Sequence, residues 1–115
     1  LQPDILINDR ADPDPGDFQT SEQHVKASKR PWETCMTLTP KAWGYHAGEP
    51  FDKSPKKVAD TLLHTAGMGG NLLLNVGPKP DGTIPEEARS ILLAVGDWLK
   101  RNREFLPDSG RQPFS

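Results

Sequence analysis

The feature that most constrains the fold of this chain is a short apolar run lying between two helical patterns. Residues 71–76 (NLLLNV) are apolar on both faces and are closed by Gly77 and Pro78, which is typical of a buried strand in a parallel sheet. Parallel strands require crossover connections, which are usually helices. Helical patterns on both sides of this strand therefore predict an α/β chain built from βα units.

The helix before this strand is predicted to begin at Ser54, which serves as its N-cap, with Pro55 in the first turn. The glycines within residues 67–70 are predicted to end it. The helix after the strand is predicted over residues 85–102, with acidic residues at its start and basic ones at its end. Its predicted buried face consists of Ile91, Leu92, Val95, Trp98 and Leu99.

Two further strands are predicted, over residues 3–8 (PDILIN) and residues 32–38 (WETCMTL). Residues 11–30 between them are predicted to form a long polar loop, a feature that is usually functional or disordered. Three strands with this much apolar surface would leave open sheet edges. A complete α/β barrel typically needs about 250 residues, and this chain has 115. We therefore expect it to be part of a larger domain.

Composition excludes several classes of partner. The net charge is −2, and no cluster of basic residues with interleaved aromatics is present, so nucleic acid is not an expected partner. The longest apolar runs fall far short of the roughly 20 residues that cross a bilayer, so no membrane partner is expected either. Cys35 is the single cysteine, which leaves no internal disulfide. His24 and His46 lack metal-ligand spacing.

Polar and aromatic side chains follow each predicted strand, where barrel enzymes carry their catalytic groups. A carboxyl-rich loop beside arginine and aromatic residues suits glycoside hydrolysis, in which one carboxyl protonates the leaving oxygen and a second attacks or activates water. Polar loops contain carboxylates for other reasons, so this pattern alone leaves a solvated loop open. The side chains concerned include Asp9, Arg10, Glu22, Trp43, Tyr45, His46, Asn75, Lys79 and Asp81.

Five sequence segments taken together indicate a function more specifically than the carboxyl-rich loop does. LQPDILINDR, GDFQTSEQ, RPWETCMTL, AWGY and GGNLLLNVGPKPDGTIPEEA occur in the order and spacing of the α-L-fucosidases of glycoside hydrolase family 29, which the chain closely resembles over about residues 1–103. The resemblance implies a retaining exo-glycosidase on a (β/α)8-like, TIM-type barrel. It further implies that residues 1–106 form the C-terminal part of that barrel and residues 107–115 an exposed tail or linker.

The resemblance also implies roles for three side chains. Glu22, in the segment Thr20-Ser21-Glu22, matches the acid/base, and Arg10, twelve positions earlier, matches an arginine that contacts the sugar. Trp43 of AWGY matches an aromatic wall for the C5 methyl group of fucose. The family's usual proline is Ser21 here, and the segment that carries its aspartate nucleophile is absent from this chain.

Two alternatives remain open for these side chains. Glu33 is a rival acid, although it is more simply explained as a structural hydrogen-bonding or ion-pairing group inside the barrel. Arg10 could form a salt bridge with Asp9 or Asp12 instead of binding a sugar. If a sugar does bind, the forked guanidinium suits its oxygens in a way that an ammonium group does not.

The resemblance implies double displacement without a metal or organic cofactor. The expected partners are a fucosylated glycan and the N-terminal half of the barrel, and the family suggests a secreted, periplasmic or lysosomal location. Because the nucleophile is absent, we expect the chain to be inactive alone. Two other hypotheses are a catalytically inactive fucose-binding protein on the same scaffold and a structural α/β fragment that binds no fucose.

Overall fold

The computed structural model describes residues 2–10 and 16–105. Three strands form one sheet in the order β1-β2-β3, and both neighbouring pairs are parallel. The predicted α/β class with a parallel sheet is therefore confirmed for this chain. The elements are β1 (Gln19–Glu22), β2 (Trp32–Thr37), α1 (Pro55–Gly67), β3 (Asn71–Asn75), α2 (Glu86–Arg101) and a short 3-10 helix (Arg103–Phe105).

The prediction of a first strand over residues 3–8 is wrong. Ile5, Leu6 and Ile7 are 45% to 55% exposed. Within the described residues this segment is paired only at Asn8, through an isolated parallel bridge to Phe18. One bridge does not provide the hydrogen-bonding partners that the backbone N–H and C=O groups of this segment would need to form a strand. The first strand is instead β1, which lies inside the predicted long loop. Its sequence QTSE carries no apolar pattern, so pairing with β2 decides its structure.

The two helices cover one face of the sheet, called here the helix-covered face. Its core is a cluster of buried apolar side chains, against which Leu74 and Val76 of the third strand and its exit pack. The predicted start of α1 is confirmed, because the Ser54 side chain accepts a hydrogen bond from the Lys57 backbone N–H at 3.1 Å. Leu92 was predicted to be buried but is 36% exposed. The cluster consists of Leu38, Val58, Ala88, Ile91 and Val95.

The strand register defines the opposite face, called here the open face. Glu22 is paired with Cys35, and Cys35 with Leu73, so these three side chains form a row across the sheet. A neighbouring row contains Thr20 and Glu33. Leu73 is 53% exposed, which is unusual for a leucine in the middle of a strand. Neither helix of the described part of the chain is long and apolar enough to cross a bilayer.

Candidate active site

Arg10 and Glu22 form an ion pair at the carboxyl end of β1. Arg10 Nη1 lies 2.5 Å from Glu22 Oε1, and the two side chains are 48% and 50% exposed. The hydrogen bond with Glu22 is the main cause of the raised pKa of the Arg10 guanidinium. Of the alternative partners suggested by the sequence, Asp12 lies outside the described residues. The structure therefore brings together two of the three predicted site residues by direct contact.

Thr20 connects this ion pair to Asp9. Its Oγ1 accepts a hydrogen bond from Arg10 Nε at 2.7 Å and donates one to Asp9 Oδ1, also at 2.7 Å. One hydroxyl can do both, since it is a donor and an acceptor at once. The side-chain hydrogen bond from Thr20 is the main cause of the lowered pKa of Asp9. Asp9 and Thr20 therefore orient the guanidinium that contacts Glu22, a role that the sequence analysis missed.

Glu22 and Trp43 line one cavity of about 600 Å³ on the open face. Cys35, Leu73 and Asn75 contribute to the same lining. Small-molecule sites typically have about 300–1,000 Å³ and combine apolar walls with a few polar groups. A carboxyl and an indole beside apolar surface can contact both the hydroxyl groups and the apolar face of a sugar. Two of the three predicted site residues, Glu22 and Trp43, thus line the same cavity, and the third, Arg10, contacts Glu22.

Glu33, the rival acid, lies in a different cavity. It occupies the neighbouring row of the open face and lines a smaller cavity of about 140 Å³ together with Asp9 and Thr20. Its Oε1 accepts a hydrogen bond from Cys35 Sγ at 3.6 Å, which agrees with the structural hydrogen bond expected for it. The Cys35 side chain itself is half-buried. Burial, followed by the nearby Glu33 charge, raises the pKa of its thiol.

The loop that carries Trp43 is attached to the end of the sheet. This Trp43 loop, residues 39–49, has its backbone bound by side chains: Asn75 Nδ2 donates to the Trp43 carbonyl oxygen at 2.6 Å, and the Glu49 carboxylate accepts the Lys41 backbone N–H at 2.6 Å. Asn75 was noted as a polar residue at a strand end, which is the signal that could have indicated its position. Its bond to the Trp43 backbone was not predicted. Tyr45 lies further along the loop and lines a separate cavity of about 400 Å³.

Comparison with known proteins identifies the family. A family model described as alpha-L-fucosidase matches residues 1–104, and the chain belongs to the α-L-fucosidase family. It is 31% identical to the tissue alpha-L-fucosidase of Mus musculus in an alignment that covers 92% of this chain and 25% of that protein. It is 41% identical to the plasma alpha-L-fucosidase of Homo sapiens over 77 residues, which cover 65% of this chain and 16% of that protein.

Solved structures give the same result. The alpha-L-fucosidase isoenzyme 1 from Paenibacillus thiaminolyticus is similar with a TM-score of 0.73 and 38% identity, over 77% of this chain and 23% of that one. The alpha-fucosidase of Thermotoga maritima is similar with a TM-score of 0.71 and 37% identity, over 79% of this chain and 21% of that one. The chain therefore spans about a quarter or less of the length of these relatives.

Proposed function

We propose that this chain supplies the acid/base half of a retaining α-L-fucosidase active site. The observation that carries the proposal is the placement of Glu22, which ends β1, pairs with Arg10 and lines one cavity with Trp43. Parallel α/β barrels hold their catalytic groups at the carboxyl ends of the strands, where Glu22 lies. Membership of the α-L-fucosidase family supports terminal α-L-fucose, carried on a glycan or oligosaccharide, as the substrate.

In the proposed enzyme the sheet is part of a (β/α)8-like barrel that polypeptide outside this chain completes. The half-exposed Leu73 on the open face and the exposed apolar side chains of Ile5, Leu6 and Ile7 support this, because such surface is normally covered in a folded domain. We assign residues 1–106 to the barrel and residues 107–115 to a tail or linker. The family match over residues 1–104 is consistent with the first of these limits.

Double displacement is the mechanism that we propose. An aspartate from outside this chain attacks C1 of the fucose while Glu22 protonates the departing glycosidic oxygen, and this forms a covalent glycosyl-enzyme. Glu22 then takes a proton from a water molecule that hydrolyses the intermediate, so the configuration at C1 is retained. The two carboxyl groups of such enzymes are about 5–5.5 Å apart. No metal or organic cofactor takes part in these steps.

A similar structure supports this chemistry. The α-L-fucosidase of Bacteroides thetaiotaomicron, 30% identical with a TM-score of 0.69, is described as a trapped covalent intermediate obtained with a variant in which glutamine replaces a glutamate. In our proposal some N–H donors of the Arg10 guanidinium bind the sugar oxygens instead of Glu22 when the substrate is bound. The indole of Trp43 contacts the C5 methyl group.

The test is Glu22→Gln in the full-length protein, measured on two substrates. A natural fucoside has a poor leaving group and needs its proton, so we expect kcat/KM to fall about 10²–10⁴-fold. An aryl fucoside with a good leaving group does not need that proton, so its first step should be much less affected. Glu33→Gln is the matched control, since it makes the same change one strand away and outside the cavity that Glu22 lines.

Equal and small losses on both substrates would remove Glu22 from the acid/base role. A larger and leaving-group-dependent effect for Glu33→Gln would transfer the role to Glu33. A full-length protein that binds fucose but hydrolyses neither substrate would instead be a fucose-binding protein. Hydrolysis by this chain alone would contradict the proposal that the nucleophile lies outside it.

A further inference from the structure

The position of the Trp43 indole depends on the backbone that carries it. Trp43 is 39% exposed, so its side chain is only partly packed against the rest of the chain. Its backbone, by contrast, is tied to the end of β3, because Asn75 Nδ2 donates to the Trp43 carbonyl oxygen at 2.6 Å and to Thr37 Oγ1 at 3.0 Å. An amide nitrogen carries two donors, and both are used here.

The adjoining carbonyl is held in the same way. Thr39 Oγ1 donates to the Ala42 carbonyl oxygen at 2.7 Å, and Thr37 Oγ1 donates to it at 3.3 Å. On the other side of the loop, the Glu49 carboxylate accepts the backbone N–H of Ala42 at 3.0 Å. The peptide groups on either side of Trp43 are therefore fixed by side chains from β2, β3 and the base of the loop.

Gly77 allows this loop to lie directly on the chain that leaves β3. A Cβ atom at Gly77 would lie 2.5 Å from the Gly44 carbonyl carbon and 2.5 Å from the Tyr45 backbone nitrogen. Non-bonded carbon atoms are in contact at about 3.5–4.0 Å, so the loop would have to move. A Cβ atom at Gly44, next to Trp43, meets no atom of the described residues within 4 Å.

We propose that Asn75 and Gly77 are positioning residues that fix Trp43 and, through it, set the preference for a sugar bearing a methyl group at C5. This inference rests on the proposed function, because it takes Trp43 as the wall that contacts that methyl group. One methyl or methylene group in an apolar pocket gives roughly 10–200-fold discrimination. Dispersion contacts weaken within an ångström of displacement, so this discrimination requires that the wall be held in place.

The experiment compares two substrates in the full-length enzyme: an aryl α-L-fucoside and the matched aryl pentopyranoside, which lacks only the C5 methyl group. The quantity measured is the ratio of their kcat/KM values. Asn75→Asp keeps the shape of the side chain but removes both donors, and Gly77→Ala displaces the loop without changing any polar group. We expect each variant to lower the ratio about tenfold, within the range that one methyl group provides.

Gly44→Ala is the control for Gly77→Ala, since it adds the same methyl group beside Trp43 in open space. We expect it to leave the ratio within about twofold of the wild type, consistent with its lack of new contacts. If Asn75 acts through Trp43, adding Asn75→Asp to Trp43→Ala should change the ratio by less than about twofold, since contacting residues are not additive. Thermal unfolding identifies any variant that fails to fold.

Equal losses on both substrates in Asn75→Asp and Gly77→Ala would overturn the inference, because a general structural defect does not select for the methyl group. A full further loss of the ratio when Asn75→Asp is added to Trp43→Ala would also overturn it, since Asn75 would then act on the sugar itself. If Trp43→Ala leaves the ratio unchanged, the role proposed for Trp43 fails. If the wild-type protein hydrolyses neither substrate, the proposed activity itself fails.

Discussion

The two faces of the sheet differ in what their side chains do. On the helix-covered face, Leu38 is 1% exposed and Val58 is 4% exposed, as expected of a core that stabilises the fold. On the open face, Glu22 is half exposed and Leu73 is 53% exposed, and both line the candidate sugar cavity. One side of the sheet therefore packs into the core that stabilises the fold, and the other side carries the candidate chemistry.

The side chains of β2 alternate between the two faces, so one strand contributes both to the stability of the fold and to the candidate site. Thr34 and Met36 are buried towards the helices, whereas Glu33 and Cys35, their neighbours in the chain, are only half-buried. Side chains alternate between faces with a period of two, so a shift of one residue would exchange the two sets. The buried face thus fixes the register, and the register places Cys35 beside Glu22.

The largest effect on stability is expected for the helix-covered face. Leu38→Ala removes a fully buried side chain, and such substitutions cost about 2–5 kcal/mol in the free energy of unfolding. Leu73→Ala is the matched substitution on the open face. If other strands complete a barrel over Leu73, its cost should be smaller than that of Leu38→Ala but clearly above the roughly 0.5 kcal/mol of a surface change.

Denaturant unfolding of the full-length protein measures both values. A cost near zero for Leu73→Ala would mean that the open face remains in water, which would contradict the proposed barrel. A cost for Leu73→Ala equal to that of Leu38→Ala would contradict the distinction between the two faces. An unchanged dependence of the unfolding free energy on denaturant would show that only stability has changed.

The next effect concerns substrate binding on the open face. Arg10 uses two nitrogens of its fork at once, Nε to Thr20 and Nη1 to Glu22. Arg10→Lys keeps the charge but offers no fork, so it loses at least one charge-assisted hydrogen bond, which is worth about 1.5–3 kcal/mol, or roughly 10–150-fold. We expect KM for an aryl fucoside and the inhibition constant of free fucose to rise within that range.

An inhibition constant for fucose that stays the same in Arg10→Lys would show that Arg10 does not contact the sugar. A fall in kcat alone, with the affinity for fucose unchanged, would place Arg10 with Glu22 as an aid to proton transfer. The comparison is best made with Arg30→Lys as the control, because Arg30 donates to the backbone carbonyl of Gly16 and lies outside the cavity.

Local signals in the sequence predicted much of the fold. The N-cap Ser54, the apolar run of β3 and the breaking glycines after α1 all act within a few residues, so they can be read from the chain. The exposed apolar residues 5–7 misled the prediction, because their run satisfies the pattern of a strand while this chain supplies a neighbour on one side only. β1 could not be predicted, since its polar sequence QTSE becomes a strand only through pairing with β2.

The site was predicted less completely than the fold. Glu22, Arg10 and Trp43 were selected through a resemblance, and none of them could have been distinguished from ordinary loop residues by composition. The contacts that position them could not be predicted, because Asn75 is 32 residues from Trp43 and only the packing of the loop onto β3 brings them together. Asp9 and Thr20 likewise meet only because the bridge at Asn8 aligns the two segments.

The smallest predicted effect tests whether Thr20 orients Arg10. Thr20→Val keeps the shape of the side chain but removes the hydroxyl that joins Arg10 Nε to Asp9. A typical hydrogen bond contributes about 1 kcal/mol, or roughly fivefold, so we expect about a fivefold rise in KM for the aryl fucoside. Thr20→Ser, which keeps the hydroxyl, is the matched control and should stay near the wild type.

Thr20→Val should also change the pKa of Asp9, and the direction of that change can be checked by titration. Because Thr20 lowers the pKa of Asp9 from its ordinary value of 3.8, the ionised carboxylate stabilises the fold at pH values above that value, and the contribution is lost as the pH falls through the lowered pKa. Thr20→Val should return the pKa of Asp9 towards 3.8, as followed by NMR titration of its carboxyl carbon. An unchanged pKa together with an unchanged KM would show that Thr20 does not link Asp9 to Arg10, and that the guanidinium is oriented by Glu22 alone.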